Sequence, residues 1–231
     1  MSANPISCVI PVFNGECYLG ETIDNVLQQT LPPFEVIVVD DGSTDNSAKI
    51  ADAFGPPVRR VFQSNQGHGA ARNLGLQHAK GDLIAFQDAD DLWHPEKLER
   101  QLRFLQQHPG AGGCVVYVRN FSVFESSDEA SAREKRRVDE AAPGFTFASL
   151  LAHRWAFERV GALDASLEHT DDTDWFLRAR DAAVDIGVLT DALCFRRIHE
   201  SNRSRLHADN SVDEYLQLLK RHLDKRRSGN G

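Results

Sequence analysis

Phe34-Glu35-Val36-Ile37-Val38-Val39-Asp40-Asp41-Gly42-Ser43-Thr44-Asp45 carries the reading of the fold. The run Phe34 to Val39 is dense in β-branched residues, as expected of a strand buried on both faces. Two aspartates, a glycine and two hydroxyl residues follow. Gly42 permits a tight turn, and Ser43 could cap the next helix. In open α/β sheets ligands bind beyond the carboxyl ends of strands, so a carboxylate here could also meet a base or ribose. The stretch alone leaves both uses open.

Working outward, apolar runs alternate with helical patterns. Ile6 to Phe13 reads as a buried strand. Tyr18 to Gln29 is helical, with Leu19, Ile23, Val26 and Leu27 on one face. A helix from about Asp45 to Phe54, a strand from Val58 to Gln63, a helix from Ala70 to Ala79 and a strand from Asp82 to Gln87 follow. Pro95 opens the next helix, whose buried face carries Leu98, Leu102 and Leu105. This alternation predicts one α/β, Rossmann-like domain with a mostly parallel central sheet flanked by helices.

The second half is less regular. Cys114 to Phe124 is strand-like, Phe147 to Val160 looks helical, and Thr173 to Ala182 is another helix. Asp185 to Ile198 reads as a strand pair or one long strand. Ser126 to Ala142 is polar and without periodicity, which suggests a mobile loop that could act as a lid. Ser211 to Leu223 forms an amphipathic tail helix, followed by Lys225, Arg226 and Arg227. The expected division is 1–110 for donor binding, 111–205 for the acceptor and catalytic-base half of the same domain, and 206–231 for the tail.

With 231 residues, 41% of them apolar, the chain can build a substantial core. The formal net charge of −8 argues against a general nucleic-acid partner. Cysteines stand at 8, 17, 114 and 194 without CxxC spacing, so zinc and disulfide frameworks are disfavoured. Cys8, Cys114 and Cys194 read as small buried hydrophobes. No signal-peptide pattern or membrane span is evident, and the expected location is cytoplasmic.

Gln87-Asp88-Ala89-Asp90-Asp91 is the sharpest chemical motif. Carboxylates this crowded repel one another, and the cluster is costly unless a cation neutralises it. Oxygen ligands favour Mg²⁺ or Mn²⁺ over zinc, and the ion would bridge to a diphosphate. The bland alternative is a solvated acidic turn ahead of a helix N-terminus. Asn65-Gln66-Gly67-His68-Gly69-Ala70-Ala71-Arg72-Asn73 fails as a dinucleotide fingerprint, because Arg72 stands where the third glycine belongs. It is either a phosphate-facing turn with Arg72 adding charge, or a packed turn with a surface arginine. Thr170-Asp171-Asp172-Thr173-Asp174-Trp175 supplies either a helix cap or a general base. In Arg196-Arg197-Ile198-His199, the histidine is a third metal ligand, a diphosphate contact when protonated, or only a polar strand end.

Taken in order, these motifs resemble the family 2 inverting glycosyltransferases with a GT-A fold, of the nucleotide-diphospho-sugar transferase superfamily. The resemblance starts at Ile10-Pro11-Val12-Phe13-Asn14. It runs through Val38–Asp45, Gly67–Asn73, Asp88–Asp91, Phe157-Glu158-Arg159-Val160-Gly161, Asp171–Arg178 and Arg197–His199. It implies that Pro11, Val12, Asn14 and Asp41 border the nucleoside, with Arg72 near the base or phosphates and Asp90 in the donor site. Asp90, Asp91 and His199 would hold the metal, Mg²⁺ or Mn²⁺, with Asp88 as a flanking acid. Asp172 would be the catalytic base, supported by Trp175 and Arg178. Two departures stand out. Gly161-Ala162-Leu163-Asp164 replaces a GxFD pattern, and Asp171-Asp172 replaces a frequent Glu-Asp pair, which leaves open which acid reaches the acceptor.

The expected reaction is direct displacement at the anomeric carbon of a nucleoside-diphosphate sugar, UDP-linked by resemblance, with inversion. The acceptor could be a saccharide, lipid carrier, protein or natural product. The short chain leads to the expectation of single transfer rather than polymer synthesis. A sugar nucleotidyltransferase would want a basic glycine-rich loop after the first strand, which is missing. A non-catalytic nucleotide-sugar binder is the other alternative. Val212, Tyr215, Leu216 and Leu219 give the tail helix an apolar face for its own domain or a partner such as a second copy. Its basic end could touch an anionic membrane, placing the protein peripherally at the inner face.

Overall fold

A computed structural model describes residues 5–122, 141–199, 202 and 208–228. The first half runs β1 (Ile6–Val12), α1 (Leu19–Leu27), β2 (Glu35–Asp40), α2 (Ser47–Phe54), β3 (Val58–Phe62), α3 (His68–His78) and β4 (Leu83–Phe86). There follow β5 (Leu92–Trp93), α4 (Lys97–Gln107), β6 (Gly113–Ser122), β7 (Ala142–Pro143), a 3-10 turn (Phe147–Ser149) and β8 (Leu151–His153). The chain closes with α5 (Arg154–Val160), α6 (Asp171–Asp181), β9 (Ile186–Ile198) and α7 (Ala208–Ser228).

Among the described residues one sheet is ordered β3-β2-β1-β4-β8-β6-β9-β5, with β7 paired to β6. β3, β2, β1 and β4 are mutually parallel, and so is the long β6–β9 pair. β8 runs antiparallel to both β4 and β6, joining the two parallel blocks. The fold is the expected α/β class with helices on both faces. Along β1 and β2 alternate side chains enter opposite cores. Cys8, Ile10, Val36 and Val38 pack with Leu19, Ile23 and Leu98. Val9, Ile37 and Val39 pack with Ala71, Phe86 and Trp175. This two-sided burial explains the unbroken apolar runs. Helix α3 lies so close to the sheet that a Cβ on Gly75 would stand 2.2 Å from Val9 Cγ1.

Cys8, Cys114 and Cys194 are buried, whereas Cys17 is exposed. Beside the buried three lies Lys97, wholly buried, its Nζ 4.0 Å from the centre of the Trp93 ring and without a hydrogen-bond partner among the described residues. Desolvation pulls the Lys97 pKa down to about 8.

Several elements differ from the sequence reading. Phe147 to Val160 is not one helix. It divides into the 3-10 turn, β8 and α5, because Leu151–His153 fills the sheet between β4 and β6. Asp185 to Ile198 resolves into a single long strand. The tail helix extends beyond its expected ends, to Ala208–Ser228. The lid expected over Ser126 to Ala142 lies outside the described residues except at its last two positions. Among the described residues no helix is long and apolar enough to cross a membrane.

Candidate active site

The loops after β1 and β2 are clasped together. Asn14, at φ 53, accepts the Thr44 N–H through Oδ1 at 2.8 Å and donates its own N–H to Ser43 Oγ at 3.0 Å. Asparagine suits this left-handed conformation. The Gly15 N–H donates to Ser47 Oγ and the Glu16 N–H to Asp45 Oδ2, each at 2.9 Å. Glu16 returns a bond by accepting the Asn46 N–H. Pro11 and Val12 are buried in β1, and the Val12 carbonyl accepts the Asp41 N–H at 2.8 Å. Hydrogen bonds thus join the ends of β1 and β2, where four of the expected donor residues, Pro11, Val12, Asn14 and Asp41, stand together, and the Asn14 Oδ1 is used in the clasp.

Asp41 is buried, and its carboxylate orders the loop that opens α3. It accepts from Gln63 Nε2 at 2.7 Å and from the N–H groups of Gln66 and Gly67 at 2.9 Å each. One turn into α3, Arg72 is not on the surface. It is buried, donating from Nη2 to Asp88 Oδ1 and from Nη1 to Asp171 Oδ2, each at 2.9 Å. Its guanidinium carbon sits 4.9 Å from the centre of the Phe147 ring. His68 Nε2 approaches Asp88 Oδ1 at 3.5 Å. Burial raises the Asp88 pKa, but the Arg72 charge and the His68 contact outweigh it and hold the carboxyl well below its usual range.

The acidic turn sends its three carboxylates to three different partners. Asp88 meets Arg72. Asp90 Oδ2 lies 2.9 Å from His199 Nε2. Asp91 is buried, and its Oδ1 accepts the Arg197 N–H at 2.9 Å. Burial, followed by the charges of Asp90 and Asp88, pushes the Asp91 carboxyl well above its usual range. The crowding from which the sequence infers a cation is thus relieved in part by the protein itself. Pairing of Leu92 with Phe195, in β5 and β9, brings Arg197 and His199 to this turn. Arg197 Nε donates to the Asp90 carbonyl at 2.8 Å and Nη2 to Glu21 at 2.6 Å, with the guanidinium 4.5 Å from the Tyr18 ring centre. Tyr18 also packs on the His199 ring, and Asn202 Oδ1 accepts the His199 N–H at 2.6 Å.

Helix α6 begins at Asp171. Asp171 is buried against Arg72, whereas Asp172 is half-buried and accepts the Thr173 N–H at 2.7 Å. Desolvation, then the Asp171 charge, raises the Asp172 pKa to about 6 despite the Arg72 charge. Trp175 is fully buried beside Phe147 and Phe157. Arg178 donates to Asp174 at 2.7 Å and to the carbonyls of Val160 and Ala162 at 2.8 and 2.9 Å, fastening α6 to the end of α5. Leu163 is buried where the family pattern places phenylalanine.

Contacts therefore run continuously from Asp41 through Gly67 and His68 to Asp88, Arg72 and Asp171, next to Asp172, with Asp90 on the same acidic turn as Asp88 and His199 brought to it from the end of β9. Sequence reasoning missed Tyr18, Glu21, His68 and Asn202. Glu21 sits on an ordinary amphipathic helix and Tyr18 stands at its N-cap, with no local signal. Asn202, three residues beyond His199, could have been noticed by that spacing.

Among the described residues no three His, Cys, Asp or Glu side chains converge as a ready-made metal cage. Asp90 and His199 nevertheless offer an oxygen and a nitrogen at one point. That donor pair fits a divalent ion whose remaining positions are taken by phosphate oxygens and water, the usual manner for Mg²⁺ and its close substitutes.

The architecture matches solved glycosyltransferases, at identities that speak for the fold. The Staphylococcus aureus TarS 1–349 structure in complex with UDP-GlcNAc aligns with a TM-score of 0.70 and 22% identity, over 87% of this chain and 60% of that one. The mannosyltransferase PcManGT from Pyrobaculum calidifontis, in complex with GDP-Man and Mn²⁺, gives 0.70 and 19%, over 97% of this chain and 64% of that one. The shared architecture is the GT-A fold, and the class is glycosyltransferase. The model of "Glycosyl transferase family 2" matches residues 7–170, and the chain belongs to that family. An uncharacterized glycosyltransferase of Rickettsia typhi is 31% identical over 95% of this chain and 72% of its own length. One of a Nostoc species is 42% identical over 85% and 66%. The chain thus spans less than two thirds of the solved structures it matches.

Proposed function

We propose that the protein transfers a sugar from a nucleoside-diphosphate donor, a UDP-sugar in the first instance, to an acceptor hydroxyl with inversion at the anomeric carbon. One observation carries the reading: of two adjacent acids at the start of α6, one is neutralised and the other is not. Asp171 is tied to Arg72, while Asp172 has its pKa raised to about 6. A carboxylate tuned upward, yet ionised at neutral pH, is suited to removing a proton from an attacking hydroxyl. A single carboxylate held by a backbone N–H and by no ion pair among the described residues accords with one direct displacement.

In this reading residues 1–110 supply the donor site and 111–205 the base and acceptor side. The clasped floor of Pro11, Val12 and Asn14, with Asp41 ordering the 63–67 loop, borders the nucleoside. Asp90 and His199 would hold Mn²⁺ or Mg²⁺, with Asp91 behind them bracing Arg197. When bound, the ion would neutralise charge developing on the departing diphosphate. The UDP assignment is supported by the UDP-GlcNAc in the TarS complex, and Mn²⁺ by the PcManGT complex. An imidazole ligand also suits a transition metal such as Mn²⁺ better than Mg²⁺.

The test is nucleotide release from a panel of UDP- and GDP-sugars, with Mn²⁺ or with chelator. Release that requires the metal and vanishes in Asp172→Asn is expected. Wild-type turnover in that variant would remove the proposed base.

A further inference from the structure

Helix α7 lies beyond the family-matched segment, yet it grips the start of α6. The carboxylate of Glu214 receives four hydrogen bonds from three consecutive residues. The Glu168 N–H donates to Oε2 at 3.0 Å. The N–H groups of His169 and Thr170 donate to Oε1 at 2.9 and 2.8 Å, and the Thr170 hydroxyl to the same oxygen at 2.6 Å. Thr170 is the N-cap residue of α6, but its side chain makes no cap bond within that helix. Its hydroxyl is turned over to Glu214 instead. A carboxylate at a helix N-terminus complements the dipole, and here it is delivered from another helix. Farther along, the buried His222 lies 3.6 Å from Asp174 and 3.4 Å from Asp181, and Leu218 is buried in the same face. The clamp thus acts on the turn 168–170, and Asp172 is the second residue of the helix that springs from it.

We infer that Glu214 is a positioning residue for Asp172, holding the turn from which α6 starts and so fixing where that carboxylate stands. This rests on the reading of Asp172 as the base. Glu214 holds the backbone immediately before Asp171 and Asp172, so its effect falls first on the proton-accepting side of the site and reaches the acidic turn only through the Asp171–Arg72–Asp88 chain. Misplacing a reacting group by about 1 Å can cost on the order of 100-fold in rate, while donor binding is left alone.

The experiment uses the full chain with Mn²⁺ and the best donor of the UDP- and GDP-sugar panel. It measures nucleotide release, its pH profile, calorimetric affinity for UDP with Mn²⁺, and Tm. Glu214→Ala should bind UDP within about twofold of wild type while kcat falls about 10–100-fold, with the acid limb of its pH profile displaced. Glu214→Gln, which retains one acceptor oxygen, should fall between. Leu218→Ala, a packing loss on the same helix, should lower Tm and leave kcat and the pH limb in place. The inference is overturned if kcat of Glu214→Ala stays within about twofold of wild type, or if Leu218→Ala lowers kcat as much at equal loss of Tm. A wild-type chain that releases no nucleotide, or an Asp172→Asn variant of full activity, would instead overturn the underlying reading and the inference with it.

Discussion

Arg72 and Asp171, 99 positions apart in the chain, meet in a buried ion pair at 2.9 Å. The guanidinium also holds Asp88, so one side chain of α3 connects the acidic turn after β4 to the helix bearing the proposed base. Its charged state is secured because Asp171 and Asp88 outweigh the desolvation that would otherwise lower its pKa.

Arg72→Met should therefore damage stability as well as turnover. Removing one partner of a buried pair typically costs about 3–5 kcal/mol, because the remaining charges lose their compensation. Arg72→Lys should rescue little, since an ammonium cannot reproduce the forked contact to two carboxylates. Thermal melts of both variants test this, and an unchanged Tm in Arg72→Met would contradict it.

Asp172→Asn should lose turnover by about 10²–10⁴-fold, the span ascribed to a positioned base. The same change should raise Tm at pH 7–8. The folded pKa of Asp172, about 6, lies above the ordinary 3.8. Its favourable contribution is thus complete below about pH 4 and disappears as pH rises through 6. At neutral pH the ionised side chain is a burden that asparagine removes. Loss of activity accompanied by a lower Tm would argue against this account.

The pH profile of kcat should fall on its acid side with a midpoint near 6, the value to which burial and Asp171 raise the Asp172 carboxyl. Asp171→Asn removes a neighbouring negative charge, so the limb should move to lower pH. A limb that moves to higher pH would show that the Asp171 charge does not set it.

Asp90→Asn and His199→Gln should each abolish Mn²⁺-dependent affinity for UDP. Asp91→Asn should be milder, because that carboxyl is buried and already accepts the Arg197 N–H. Titration calorimetry with and without chelator separates the cases. Equal UDP affinity with and without metal in the wild type would eliminate the proposed ion.

Lys97→Met should stabilise the protein at pH 7. The ammonium is wholly buried, and desolvation lowers its pKa from 10.5 to about 8. The unfolded chain therefore binds more protons between about pH 8 and 10.5, and wild-type stability should rise across that window. The variant should lose that rise. A lower Tm in Lys97→Met at pH 7 would mean that its contact with Trp93 outweighs desolvation.

The parallel half of the sheet was legible because β1 and β2 are buried on both faces, leaving uninterrupted apolar runs such as Val36–Val39. The acidic motifs were legible because aspartates at strand ends and helix starts are conspicuous. What escaped was whatever depends on distant pairing. Leu151–His153 becomes a strand only because β4 and β6 flank it, and its local sequence resembles its helical neighbourhood. Leu92–Trp93 is too short for any period, although it delivers Arg197 to Asp91. Arg72 read equally well as a surface residue, since its partner Asp171 lies in another part of the chain. Glu214 gave no sign at all, being one acid among several on an amphipathic helix.

The reciprocal bonds between Asn14 and the Ser43–Thr44 segment bear on how a nucleotide would be received. Two crossovers from neighbouring strands are cross-braced into a rigid saddle, so little conformational entropy remains to be lost when a guest arrives. Encounter should then be governed by diffusion and charge, and discrimination between related guests should emerge in their residence times. Cutting the brace, as in Asn14→Gly, would leave the saddle's shape attainable but transient, and association would slow before dissociation quickened.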